Sequence, residues 1–162
     1  MYKGRLFWSL IKGLFLPKYQ NMAYTMNMWN YGTTTAQKTG KLGEDLAVKW
    51  LLDRGHDVVD RNIRTNHGEI DVVTMSGGVT HFIEVKSAVC TIAESNGLYV
   101  QSVPGIRPEE NMTRHKLAKL LSTIEMYLEE REVGEWQVDL VTVYIDEDKK
   151  LAKCEFFENV SF

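Results

Sequence analysis

The stretch GEIDVVTMSGGVTHFIEVK, residues 68–86, reads as two apolar strands around a tight turn, with charges set where a buried hairpin should be apolar. A two-residue turn at Gly77-Gly78 needs positive φ at its centre, which glycine adopts at no steric cost. Opposed residues then have numbers summing to 155, so Asp71 faces Glu84 and Glu69 faces Lys86. Side chains alternate with period two. That places Glu69, Asp71, Val73, Phe82, Glu84 and Lys86 on one face, and Ile70, Val72, Ile83 and Val85 on the other. Apolar bulk on both faces predicts a hairpin covered on both sides. Directly opposed Cβ atoms lie about 4.5–5.5 Å apart, so two carboxylates there repel unless a cation sits between them. A divalent ion would serve.

Working outward, TGKLGEDLAVKWLLDRG from Thr39 has Leu46, Ala47, Trp50 and Leu51 at helical spacing and Gly55 as its stop. Glu44 falls in the first turn of that helix, on the stripe of Ala47, Val48 and Leu51 that should face the sheet. HDVVDRNIRT is a first strand, and Ser87 to Asn111 reads as one long loop containing Pro104, Gly105 and Pro108. Loops of that length are more often functional than idle. TRHKLAKLLSTIEMYLEERE is an amphipathic helix with Thr113 as cap and Leu117, Leu120, Leu121, Ile124 and Leu128 inward. WQVDLVTVYI and LAKCEFFENV close the chain as strands. Helix, three strands, helix, two strands, with hairpin strands apolar on both sides, predicts an α/β fold with a mixed central sheet flanked by helices.

The 162 residues suit one globular domain with a substantial core. We read residues 1–35 as an N-terminal extension and linker, and 36–162 as the domain. The run RLFWSLIKGLFL, Arg5 to Leu16, is too short to span a bilayer, and Lys12 in mid-run without a small-residue cleavage site argues against a signal peptide. A membrane-surface helix through residues 5–16, a helix docked on the domain and a dispensable segment remain open, with docking or dispensability expected. Cys90 and Cys154 stand far apart with no C-x-x-C, which suggests neither a disulfide framework nor a zinc site and fits a reducing cytoplasm. The net charge of -3 argues against a generally basic nucleic-acid binder. Residues 1–64, however, carry 10 basic and 5 acidic side chains against 9 and 17 in the remainder, which permits a local basic surface.

A phosphodiester hydrolase needs carboxylates for Mg²⁺, a cation that prefers oxygen ligands, and a group to orient or deprotonate the attacking water. Asp71, Glu84 and Glu44 supply the first, with the Val85 backbone carbonyl as an additional ligand, and Lys86 the second. Mn²⁺ is the natural substitute ion. As a bare pattern D-x₁₂-E-x-K is weak, but an acid early in a helix followed by a glycine-turned hairpin bearing Asp against Glu-x-Lys is more specific.

Residues 39–87, with TRHKLAKLLSTIEMYL and WQVDLVTV after them, closely resemble the YraN-like family of predicted endonucleases, bacterial members of the PD-(D/E)XK nuclease superfamily related to archaeal Holliday-junction resolvases. The resemblance covers about three quarters of the chain. It implies a restriction-endonuclease-like core, Glu44 as the helix acid, Asp71 as the hairpin Asp, Glu84 and Lys86 as the E-x-K, and Lys116 as a basic position of the later helix. The chain departs from the family in its N-terminal extension, in the longer 88–111 loop and in Ser87-Ala88, where a Thr and a basic residue are usual. The implied activity is a Mg²⁺-dependent endonuclease acting on DNA, on branched or structured substrates by analogy. A homodimer is implied because two cuts require two sites.

Each residue also has a plainer reading. Glu44 could complement a helix dipole, Lys86 could pair with Glu69 across the strands, and Asp139 reads better as half of an internal salt bridge than as a ligand. His67, His81 and His115 have no partner at interpretable spacing. Arg61, Arg64, Arg114, Lys116 and Lys119 are candidates for phosphate contact on faces that must be polar in any case. The alternative function is a non-catalytic nucleic-acid or protein-binding module that keeps the nuclease fold. Clustered negative charge is of little use on a surface that only binds phosphates, and this favours the enzyme.

Overall fold

The computed structural model describes residues 36–92 and 113–160 with their side chains, and the backbone of 24–25, 93–95 and 98–101. The run from Arg5 to Leu16 and residues 102–112 lie outside the described residues. The elements are β1 (Tyr24–Thr25), α1 (Ala36–Leu52), β2 (Asp57–Arg64), β3 (Glu69–Ser76), β4 (Val79–Val89), β5 (Ile92–Ser95), β6 (Leu98–Gln101), α2 (Arg114–Glu129), β7 (Trp136–Asp146) and β8 (Leu151–Phe157). The main sheet has the order β1-β8-β7-β4-β3-β2. β4 and β7 run parallel, joined through α2, and the other neighbours are antiparallel, so the fold is α/β with a mixed sheet, as expected. Among the described residues no helix is long and apolar enough to cross a membrane.

The hairpin register is the one the glycines dictate. Pairing runs from Ser76–Val79 to Val72–Ile83, with Gly77 and Gly78 at φ of 59° and 81°. Among the described residues the core forms two large clusters, one on each sheet face, and a small third one of Cys90, Ile92 and Tyr144. On one side Leu42, Leu46, Trp50 and Leu51 of α1 pack on Val72, Ile83, Val85 and Val141. On the other, Leu120, Ile124 and Tyr127 of α2 pack on Ile70, Val73, Phe82 and Leu140. Burying each such large side chain is worth roughly 1.5–3 kcal/mol, and this sandwiching explains why the hairpin is apolar on both faces.

Four local expectations change. α1 starts at Ala36, not Thr39, because Ala36, Gln37 and Lys38 continue the helix, and Glu44 therefore lies well past the first turn. The dipole of a helix acts within its first turn, so it does not account for Glu44. The segment 88–111 is not one loop, since β4 continues to Val89 and β5 pairs with β6 as a separate two-stranded sheet. Leu121 points outward, 37 % exposed, while Thr123 and Tyr127 are buried. Successive helical residues are about 100° apart, and Leu121 falls at the margin of a stripe centred on Leu120 and Ile124. Finally, Ile70 does not share a face with Val72, because the pleat of β3 breaks between them.

Helix α1 approaches β4 unusually closely at Gly43. A Cβ there would lie 2.4 Å from the Cβ of Ser87. Gly43→Ala should therefore destabilise the protein by about 1–3 kcal/mol through overpacking, despite the better helix propensity of alanine. At Gly40, three residues earlier on the same helix, a Cβ would meet nothing within 4 Å. Gly40→Ala should stabilise by up to about 1 kcal/mol. Urea denaturation of the two variants tests the pair; loss of stability in both would mean that the helix, not the Ser87 contact, responds.

A candidate metal and nucleic-acid site where two strands part

β3 and β4 stop pairing after Val72–Ile83, one residue short of Asp71 and Glu84. Regular continuation would send the Val85 N–H to the Ile70 carbonyl. Instead it donates to Asp71 Oδ2 at 2.7 Å. The Asp71 carboxylate thus lies in the gap between the strands and not, as the alternation implied, on the face of Glu84. The neighbouring strand β2 is irregular at the same level. Asn62, which the register sets across from Asp71 between the pairs Arg61–Val72 and Ile63–Ile70, has a left-handed backbone with φ of 53°. One such residue interrupts the pleat. Within an extended residue the N–H and C=O project to the same side, so the Val85 carbonyl also faces the gap.

Around Asp71 the acids gather unequally. Burial pushes its carboxyl up to about 7, aided by the charge of Glu84 and, more weakly, of Glu44; the Val85 N–H and Lys86 oppose the shift. Glu44 is half-buried, and burial raises its carboxyl above the ordinary range, opposed by the nearby Asn62 amide and the charge of Arg61. Glu84 Oε1 is held by Lys86 Nζ in a close ion pair whose side chains are 13 % and 21 % exposed. Lys86 therefore does not pair with Glu69, which meets Arg64 at 3.4 Å. Beside Lys86 on β7, Thr142 is fully buried and its hydroxyl has no hydrogen-bond partner. Among the described residues no three acidic, His or Cys side chains converge at ligating distance.

The Asp71 proton has a consequence for stability. Between about pH 4 and pH 7 the folded chain keeps a proton that the unfolded chain has shed. Stability falls as pH rises wherever the folded state binds more protons, so the metal-free protein should lose stability across that window. Asp71→Asn should flatten the slope. Melting temperatures of both forms at pH 4.5 to 7.5 check this, and parallel slopes would remove Asp71 as the cause.

An open groove of ≈ 650 Å³ borders the gap, lined by Gln37, Gly40, Lys41, Glu44, Arg61, Asn62 and Arg64. Arg61 is engaged by Asp45 at 2.6 Å, and Arg64 is mostly exposed. Arg114, Lys116 and Lys119 lie on the exposed side of α2. Lys119 packs against the turn before β3, its carbonyl 3.1 Å from where a Cβ on Gly68 would sit. Asp139, fully buried, holds His81 Nδ1 at 2.6 Å and accepts from Gln137 and the Asn159 N–H, an internal polar knot away from the gap. His81 thus has a partner the spacing did not show, and its ring meets His56 at 4.9 Å. Burial drives the His56 imidazole down to about 4. Burial also opposes protonation of His81, but the hydrogen bond and charge of Asp139 outweigh it and raise the imidazole. Asn62 was likewise missed, although an Asn inside RNIR is a poor strand residue and hints at an interrupted strand.

A mixed sheet led by a helix, with an acid from that helix beside the point where an Asp strand parts from a Glu-x-Lys strand, defines an α/β protein whose element order is consistent with a restriction-endonuclease-like core. Residues 43–143 match the uncharacterised protein family UPF0102, and the chain belongs to that family. It is 34 % identical over 124 residues to a UPF0102 protein of Campylobacter jejuni, covering 76 % of this chain and 93 % of that one. A UPF0102 protein of Corynebacterium efficiens is 33 % identical over 128 residues, with 78 % and 94 % covered. One from Campylobacter hominis is 30 % identical over 125 residues, with 76 % and 94 % covered.

Proposed function

We propose that this protein is a divalent-metal-dependent endonuclease that hydrolyses phosphodiester bonds in nucleic acid, DNA before RNA, at the gap between β3 and β4. The observation that carries the reading is Asp71. A carboxylate desolvated between two strands, beside a second carboxylate and with its proton held to about 7, is stabilised in its ionised form by a dication. Mg²⁺ is commonly held by one or two carboxylates, its other ligands being water and substrate phosphate. Asp71 and Glu84 meet that requirement without a third converging acid. The Val85 carbonyl and Glu44 are the adjacent oxygens, and Mn²⁺ would take the same donors. The ion, when bound, supplies Lewis acidity and a lower pKa for water.

The chain's own residues do the rest. Asp71 is fixed by the Val85 N–H and so presents one edge of its carboxylate to the gap. Lys86 projects on the same side of β4 as Glu84 and can orient a water or take its proton. Lys41 and Arg64, exposed along the groove, meet the phosphates of a strand led past Glu44. Arg61 contributes there only by exchanging Asp45 for phosphate. Lys119 lies on the far flank, with Arg114 and Lys116 beyond it on α2. The acids in the gap and the lysine beside them weigh against a merely binding module.

Purified protein incubated with duplex, single-stranded, flap and four-way DNA and matched RNA strands, with Mg²⁺, Mn²⁺ or chelator, tests the reading. Metal-dependent cleavage of at least one substrate, absent with chelator, is expected. Binding without cleavage in every metal would replace the enzyme with the binding module.

A further inference from the structure

Resting on that reading of the gap, we propose that Asn62 is the positioning residue of the site: its amide holds the Glu44 carboxylate beside Asp71, and its left-handed backbone makes that contact geometrically available. Three observations converge. Asn62 lies across from Asp71 at φ of 53°. Its side chain and that of Glu44 line the same groove, where the amide favours the ionised carboxylate. Its neighbour Arg61 bonds Asp45 at 2.6 Å.

On this reading two successive residues of β2, Arg61 and Asn62, engage two successive residues of α1, Asp45 and Glu44. A regular strand cannot do this, because adjacent side chains point to opposite faces. The left-handed residue removes that restriction, and asparagine is among the few residues besides glycine that enter this region readily. Without the grip, Glu44 would be a carboxylate on a helix facing an open groove, free to rotate into water. With it, the oxygen not bonded to the amide is left beside the strand gap. Partners that hold metal-binding carboxylates in this way commonly change metal affinity by about 10-fold to 100-fold when removed.

The test separates the amide from the backbone. Asn62→Gly keeps the positive φ and deletes the amide. Asn62→Asp keeps the shape but sets an acceptor against Glu44. By isothermal titration with Mn²⁺, Asn62→Gly should bind about 10-fold more weakly than the native chain and Asn62→Asp more weakly still, with circular dichroism unchanged in both. Native affinity in Asn62→Gly would overturn the proposal and leave Asn62 as a turn residue.

A metal-free readout stands beside it. In ¹H–¹⁵N spectra the Asn62 side-chain NH₂ pair, assigned by its disappearance in Asn62→Gly, should be displaced from free-amide positions and return to them in Glu44→Ala. A pair indifferent to Glu44→Ala would also overturn the proposal. Should the native chain bind no Mn²⁺, the metal reading of the gap fails by itself, and the NH₂ signals alone decide whether Asn62 holds Glu44.

Discussion

Lys86→Ala should lower phosphodiester cleavage by about 10²-fold to 10⁴-fold, the range for removing a general acid or base, while metal and nucleic-acid binding should largely survive. The argument is positional. Lys86 sits two residues beyond Glu84, and the ion pair between them fixes its ammonium at the carboxylates while most of the side chain is shielded from water. Truncation leaves Glu84 without that partner, so part of any loss could come from a displaced carboxylate. Lys86→Arg controls for this, because it keeps the charge but not a group that can readily give up a proton. Both variants should lose cleavage, and any small change in the metal titration should be confined to Ala. Cleavage retained by Lys86→Ala, in material freed of contaminating nuclease, would remove Lys86 from the mechanism.

The second large effect is on the metal. Mg²⁺ or Mn²⁺ at about 100 times its Kd should stabilise the folded chain by about 2.7 kcal/mol, a rise of about 5–10 °C in Tm for a chain of this size. Asp71→Asn together with Glu84→Gln should remove most of that rise. Without metal at pH 7, Asp71→Asn should be at least as stable as the native protein. The Asn oxygen can still accept from the Val85 N–H, and a carboxylate whose ionisation is opposed by burial and by Glu84 is gone. An equal metal shift in the native chain and the double variant would place any bound ion elsewhere.

Much of this architecture is legible in the sequence, and for a local reason. Gly77-Gly78 admits one tight turn, and the turn fixes the register that sets Asp71 level with Glu84. Helical stripes at Leu46 to Leu51 and at Leu120 to Ile124 assign one helix to each sheet face, and Thr113 caps α2 as its position implies. These are signals with a period of two or 3.6, and they need no knowledge of what lies across the molecule.

The site is different, because its geometry arises where that periodicity fails. Alternation puts Asp71 on the same face as Glu84 and Ile70 on the same face as Val72. The structure instead turns Asp71 into the gap, across from a left-handed residue on the neighbouring strand, and no pattern within residues 68–86 contains that residue. Nor does spacing reveal that Gly43 lets α1 settle onto Ser87, the approach that brings Glu44 to the sheet. The bond of Arg61 to Asp45 and the meeting of Asn62 and Glu44 on one groove are equally invisible to spacing. The sequence by itself determined the two helices, the hairpin register and the residue types of the site, because those follow from local sterics and periodic burial; it did not determine β1, β5 or β6. Only the tertiary structure decided which acids come together at the gap and how they are held, because that depends on contacts between residues 14 or more positions apart.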